Sequence, residues 1–243
     1  MDGKHVGIKC PVNSGSNLYN YKNFFSIVLF AIVDADYTFL YVDVGKNGRI
    51  SDGGIFANTP IYDKLENNHL QVPPEEPLQG RVKHIPYMIV GDDAFPLKPY
   101  LMKPYPNRNL GITQRVFNYR LSRVRRIVEN VFGILTSRFS VFQKTNALEP
   151  DKDEKVVLAT CVLHNFLRSK PSPMNIYSPP DYIDRENQEI VIDAEWRQNA
   201  GNCLPNILQQ GGNRSTLEAR EIRDKLCDYF NTNGEVHWQW DAI

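Results

Sequence analysis

The 243-residue chain has no long hydrophobic run. Its longest apolar stretch is Phe24–Val33, and Ser26 interrupts it. That is well short of the roughly 20 apolar residues a spanning helix needs, so no membrane partner is expected. No basic start leads into an apolar segment, so no secretory signal is expected. Cysteine is scarce: Cys10, Cys161, Cys203 and Cys227 are scattered with no C-x-x-C pair. Reduced thiols of a cytosolic or nuclear protein fit this better than a disulfide framework or a zinc site. Neither a P-loop nor G-x-G-x-x-G, G-x-S-x-G or H-E-x-x-H is present, which removes the common nucleotide, serine-hydrolase and zincin signatures. No internal repeat or low-complexity tract is visible. What is there is globular composition, 42% apolar, 23% charged and 11% aromatic. It excludes a disordered chain, a coiled coil and a collagen-like fibre. The length suits one large domain or one and a half ordinary ones.

Net charge is also missing, with 28 basic and 28 acidic side chains, but the charges are unevenly placed. Residues 1–79 carry 6 basic and 9 acidic groups, residues 80–140 carry 11 and 3, and residues 148–243 carry 10 and 16. A basic middle in a neutral chain suits a phosphate backbone, and equally a solvated helix face.

Residues 24–33 and 37–44 are two β-forming runs separated by Asp34-Ala35-Asp36 and closed by Gly45-Lys46-Asn47-Gly48, a buried hairpin. A helix is expected near 54–67, capped by Ser51 or Asp52, although Pro60 lies inside it. Residues 71–80 read as a loop. Tyr87–Val90 is a short strand ending at Gly91-Asp92-Asp93, and Leu101–Lys103 another. From Thr113 to Arg138, Phe117, Leu121, Val124, Val128, Val131 or Phe132 and Leu135 recur every three to four residues, the period of an amphipathic helix. Asp153–Arg168 is apolar nearly all round and is expected to be a buried helix. Residues 171–212 are rich in Pro, Asn and Gly and read as irregular. Ser215-x-x-Glu218 is a capping box opening a last helix near 215–230. Trp196, Trp238 and Trp240 all lie in this last part, which suggests a tail that docks on the body.

Three acids stand out. Asp2 begins an alternating stretch, Asp92 closes a strand, and Glu129 lies beside the apolar stripe of the long helix. Carboxylates so placed can hold Mg²⁺, an oxygen-seeking cation that keeps several waters and binds substrate phosphates. Two such ions can activate a water or 3′-hydroxyl and stabilise the leaving oxygen of a phosphodiester. The plainer alternatives are a turn or cap at Asp92 and pairing of Glu129 with Arg125 or Arg126. Asp34, Asp36, Asp43, Asp52 and Asp93 are further candidates, the first two explained by turn chemistry. His5, beside the first acid, could orient substrate but reads first as a structural histidine, as does His164 in an apolar helix, and Cys161 reads as core.

The chain resembles the DDE-type nuclease domain of PIF/Harbinger transposases over roughly residues 1–170. Six stretches carry this in order: Asp2–Val6; Asn20–Lys22 with Phe24–Leu29; Ser51–Gly53; Gly91–Leu97; Arg126–Gly133 continuing to Phe139; and Cys161–Phe166. The resemblance implies an α/β fold, an RNase H-like mixed central sheet with its first three strands antiparallel, flanked by helices. It implies that Asp2, Asp92 and Glu129, spaced by 90 and 37 residues, are the catalytic, metal-holding acids. By analogy, Asp2 and Asp92 share one ion and Glu129 completes a second site. The cofactor is Mg²⁺, with Mn²⁺ as substitute, and the reaction is DNA strand cleavage and joining.

Three further expectations follow from the resemblance. Residues 1–170 form the nuclease domain, lacking the N-terminal half of the first strand and the family's N-terminal helical DNA-binding region, and 171–243 form an extension. The partners are DNA and a Myb-like protein. The resemblance implies the nucleus as location, with the cytoplasm as a second compartment, although Arg123-Val124-Arg125-Arg126 is too short for a localisation signal. The basic face of the long helix (Arg115, Arg120, Arg123, Arg126) is the candidate DNA contact, unless it faces the acidic tail. The alternative function is a catalytically inactive, domesticated DNA-binding or protein-interaction module.

Overall fold

The computed structural model describes residues 1–243 except 13, 49, 51, 171–175, 187–190, 199–203, 208–214 and 242. The protein is mixed α/β and divides into two compact units, residues 1–55 with 126–208 and residues 56–125 with 209–243. Among the described residues, no helix is long and apolar enough to cross a membrane. Cys10, Cys161 and Cys227 are free thiols, and Cys203 lies outside the described residues.

The first unit is built on a three-stranded antiparallel sheet, β1 (Asp2–Gly7), β2 (Ser26–Val33) and β3 (Phe39–Asn47), with β2 in the middle. The apolar run of β2 is buried almost throughout, as a central strand covered on both faces must be. Ile27, Leu29 and Ala31 share one face. They pack with Val6 of β1, with Val128, Val131, Phe132 and Leu135 of the long helix, and with Val157 and Cys161 of the next helix. The Asp34 turn forms as expected, its carboxylate accepting from the amides of Asp36 and Thr38 at 2.9 Å each. The expected closing turn at Gly45–Gly48 is instead partly strand: β3 continues to Asn47, with Gly45 at φ +97° near a register shift in the β2–β3 ladder.

The helix expected over 54–67 is two helices, α1 (Asp52–Ala57) and α2 (Pro60–Glu66). Thr59 caps α2, accepting from the Tyr62 amide at 3.3 Å, and Pro60 takes the first turn, where its missing N–H costs nothing. Ser51, one of the two expected caps, lies outside the described residues.

The second unit holds α2, two small sheets and its own core. β4 (Glu76–Pro77) pairs antiparallel with β5 (His84–Ile85), and β6 (Ile89–Val90) pairs parallel with β7 (Leu101–Met102). The long helix α3 (Ile112–Arg138) gives its first half to this unit. Phe117 and Leu121 pack with Leu97 and Met102, and with Ala219, Ile222 and Leu226 of the last helix. Val124 departs from the expected stripe and is exposed.

In the first unit, α4 (Pro150–Arg168) packs on β2 and β3. It is not buried all round as expected: Val162, Leu163 and Phe166 are exposed, while Val157, Cys161 and His164 face inward at helical spacing. Part of the stretch expected to be irregular is ordered, with a hairpin of β8 (Arg185–Glu186) and β9 (Val191–Ile192) and the one-turn helix α5 (Glu195–Gln198). The last helix, α6, is Leu217–Phe230. Its cap is Thr216, accepting from Ala219 N at 3.2 Å, and not Ser215; the Ser215 hydroxyl accepts from Arg220 instead.

Candidate active site

The first unit holds two of the three candidate acids. Asp2 opens β1 opposite Ala31 and is buried. One carboxylate oxygen accepts the Gly3 amide at 2.8 Å, and the other meets Lys4 Nζ at 2.9 Å. Two residues apart on one strand, Asp2 and Lys4 share a face, which is why they pair. Lys4 also donates to Asn206 Oδ1 and lies 5.7 Å from the Phe132 ring centroid.

Glu129 does not pair with Arg125 or Arg126. Its partner is Arg197, 68 residues on, with Nη2 donating to Oε2 at 3.0 Å. The local sequence explains how. Glu129 and Gly133 lie one turn apart on the same face of α3. Gly133 leaves a bay where the Trp196 indole rests, so close that a β-carbon at 133 would meet the ring at 2.2 Å. Once Trp196 is seated, its neighbour reaches Glu129, with the Arg197 guanidinium 4.3 Å from the Trp196 ring centroid. Asp184 completes the set, accepting from Arg197 Nε and Nη2 at 2.7–3.0 Å and from the Ala194 amide at 2.9 Å. Burial alone would raise the Asp184 pKa, but the Arg197 bonds outweigh it and hold the carboxyl below its usual range. Lys4, Glu129, Phe132, Gly133 and Arg197 line one cleft of about 260 Å³.

Gly133→Ala is therefore expected to displace Trp196 and to destabilise the protein by about 1–3 kcal/mol, the usual range for overpacking. A urea titration with a tryptophan emission spectrum checks this. An unshifted spectrum and midpoint would mean that Trp196 does not sit on Gly133.

Asp92 belongs to the second unit. It follows β6, is buried, and caps its own turn: Oδ1 accepts the Ala94 amide at 2.9 Å, while Oδ2 lies 3.8 Å from Arg125 Nη2. In the same unit two of the four candidate DNA-binding arginines are engaged by aromatic groups. Arg120 stacks 4.8 Å from the Phe230 centroid and donates to Gln239, and Arg123 lies 3.8 Å from the Trp238 centroid. Arg115 is exposed, and Arg126, in the first unit, is half-buried near Asp184.

Both histidines are buried. His5 Nδ1 bonds Ser26 Oγ at 2.9 Å, while Nε2 has no partner among the described residues. His164 bonds Tyr177 OH at 2.8 Å and the Tyr37 carbonyl at 2.7 Å. Burial pushes each pKa down to about 4, reinforced at His5 by Lys22 and opposed at His164 by the Tyr37 carbonyl.

Asp2, Asp92 and Glu129 each offer the oxygen donors that a hard divalent cation takes. Each is already held by a basic side chain, and among the described residues no three His, Cys, Asp or Glu side chains come together as metal ligands. Arg197 and Asp184 were not foreseeable as site residues by spacing, and the only signal was the tryptophan beside Arg197.

Several curated relatives resemble the chain. It is 27% identical over 232 residues to the ALP1-like protein of Arabidopsis thaliana, covering 93% of this chain and 53% of that protein. It is 23% identical over 201 residues to HARBI1 of Mus musculus, a protein named for a nuclease, covering 79% and 53%. It is also 23% identical over 195 residues to the Arabidopsis protein named antagonist of like heterochromatin protein 1, covering 76% and 48%. The chain thus spans about half the length of the curated relatives it matches. No solved structure matches. The family model described as DDE superfamily endonuclease matches residues 1–165, a stretch that contains Asp2, Asp92 and Glu129. The chain belongs to the DDE superfamily endonuclease family.

Proposed function

We propose that the chain is the catalytic domain of a divalent-metal-dependent DNA nuclease or transposase of the PIF/Harbinger type, with an RNase H-like fold and a nuclear location. The observation that carries this is the family match over residues 1–165, which takes in all three acids in order. The acids assigned to the reaction are Asp2, Asp92 and Glu129, and Mg²⁺ is the assigned cofactor. Bound there, the metal would supply Lewis-acid activation of the attacking hydroxyl and stabilisation of the leaving oxygen. The chain's own part is to hold the acids. The β1 backbone and Lys4 orient Asp2, the Ala94 amide fixes Asp92, and the Gly133–Trp196 contact brings Arg197 to Glu129. DNA is the assigned substrate, with Arg115 as the exposed candidate contact on the basic helix.

A calorimetric Mn²⁺ titration tests this. The parent is expected to bind, and Asp92→Asn and Glu129→Gln each to lose at least about tenfold in affinity, as removal of one charged ligand from a few-ligand site implies. Binding left intact in both variants would sink the assignment.

A second reading is a non-catalytic DNA-binding or protein-interaction module. The observation favouring it is that Lys4, Arg125 and Arg197 already neutralise the three acids. A folded parent that binds no Mn²⁺ but binds duplex DNA with steep salt dependence would select it.

A further inference from the structure

Arg197 makes one contact more than an anchor for its segment requires. Nε and Nη2 already bind both oxygens of Asp184, whose side chain is 2% exposed, and that alone pins α5. The second Nη2 proton is aimed across the cleft at Glu129 Oε2. A divalent cation at Glu129 would meet a carboxylate that already carries this guanidinium on one oxygen. The arginine cannot swing far, because Asp184 holds its other side. A metal ion at Glu129 therefore binds beside a fixed positive charge.

We propose that Arg197 is the resident counter-cation of Glu129, held in place by Asp184, and that it sets the divalent-cation affinity of this carboxylate. The inference rests on the metal-dependent reading above. Glu129 is about one-third exposed, so the competing pair is a partly solvated one. Releasing it should tighten metal binding about fivefold, the upper end for such pairs.

The test is a Mn²⁺ titration at low ionic strength of the parent and of the paired variant Asp184→Asn with Arg197→Gln. The pair removes the arginine without stranding a buried carboxylate. The expected result is about fivefold tighter binding by the variant. A second measurement uses the parent itself. In ¹⁵N spectra of arginine side chains, added Mg²⁺ should shift the Arg197 Nη signals and leave Nε, held by Asp184, in place. Metal binding with equal affinity in both proteins, or with no change at Arg197, would overturn the inference and leave the metal site standing. No binding in either protein would overturn the nuclease reading and this inference with it.

Discussion

Acidification from pH 6.5 toward pH 4 is expected to remove up to roughly 3 kcal/mol of folding stability for each of His5 and His164. Both imidazoles are buried and have their pKa lowered from 6.5 to about 4. Between those values the unfolded chain binds a proton at each site and the folded chain does not. The unfolded state therefore takes up more protons, so stability is full above pH 6.5 and falls as the pH drops through the window. His5 has a specific reason to resist protonation, since its Nε2 has no acceptor waiting for a second N–H among the described residues. At His164, the Tyr37 carbonyl takes one N–H, leaving Tyr177 OH as the partner of the other nitrogen.

Urea midpoints measured from pH 7.5 to 4.5 check this, with a slope approaching about 2.7 kcal/mol per pH unit where both histidines titrate. His164→Gln should be less stable at pH 7 and show a slope nearer one proton. Carboxylates act elsewhere or oppositely. Asp34 and Asp184 have lowered pKa values, so their losses come below the ordinary carboxylate range, while burial raises Asp43 and Asp153, which soften the acid limb. A stability flat between pH 6.5 and 5 would show that neither histidine is sealed from solvent. Typical domains are stable by only about 5–15 kcal/mol, so this loss is a large share of what holds the fold.

What was legible in the sequence follows from how local its cause is. The β2 run and the α3 stripe were legible because burial on two faces, or on one helical face, writes itself into consecutive residues. The break between α1 and α2 is visible as Pro60, which makes the boundary of a helix expected over 54–67 uncertain. Thr59 before it was the missed signal, a cap residue directly preceding a proline that suits a first turn. The exposed Val162, Leu163 and Phe166 were not legible, since an apolar side chain does not state whether anything covers it. At the site, the turn role of Asp92 and the pairing of Asp2 with Lys4 are contacts within two residues, readable in principle from strand alternation and turn chemistry. The Glu129–Arg197 pair was not. It depends on a glycine bay on one helix and an indole from a segment more than sixty residues away, and no periodicity links them. The concentration of tryptophan in the last part of the chain pointed to docking. Trp238 lies against Arg123 in the second unit, but the composition does not say which side chains either ring meets.

The other large effect is expected from Arg197→Ala, which should cost about 3–5 kcal/mol, the range for stranding one member of a buried ion pair. Asp184 is the reason. Its side chain is almost wholly enclosed and keeps its charge through the Arg197 bonds and the Ala194 amide. Without Arg197, the Ala194 amide and the nearby Arg126 charge remain, and burial, the largest influence, drives the carboxyl toward protonation. The deficit must then depend on pH. In the parent, a lowered Asp184 pKa stabilises the fold above the ordinary carboxylate range. In the variant a raised one stabilises it only in acid. The difference between the two proteins should be greatest near pH 7 and shrink toward pH 4.5, while the histidine losses, common to both, cancel. Adding Asp184→Asn to Arg197→Ala should recover much of the loss at pH 7, because a neutral amide needs no counter-charge. Urea midpoints of the three proteins at the two pH values decide it. A loss under about 1 kcal/mol at pH 7 would mark the pair as a solvent-screened surface bridge. The same result would remove the anchor that keeps Arg197 on Glu129. An undiminished deficit at pH 4.5 would show instead that the arginine acts through packing on Trp196 and not through its charge.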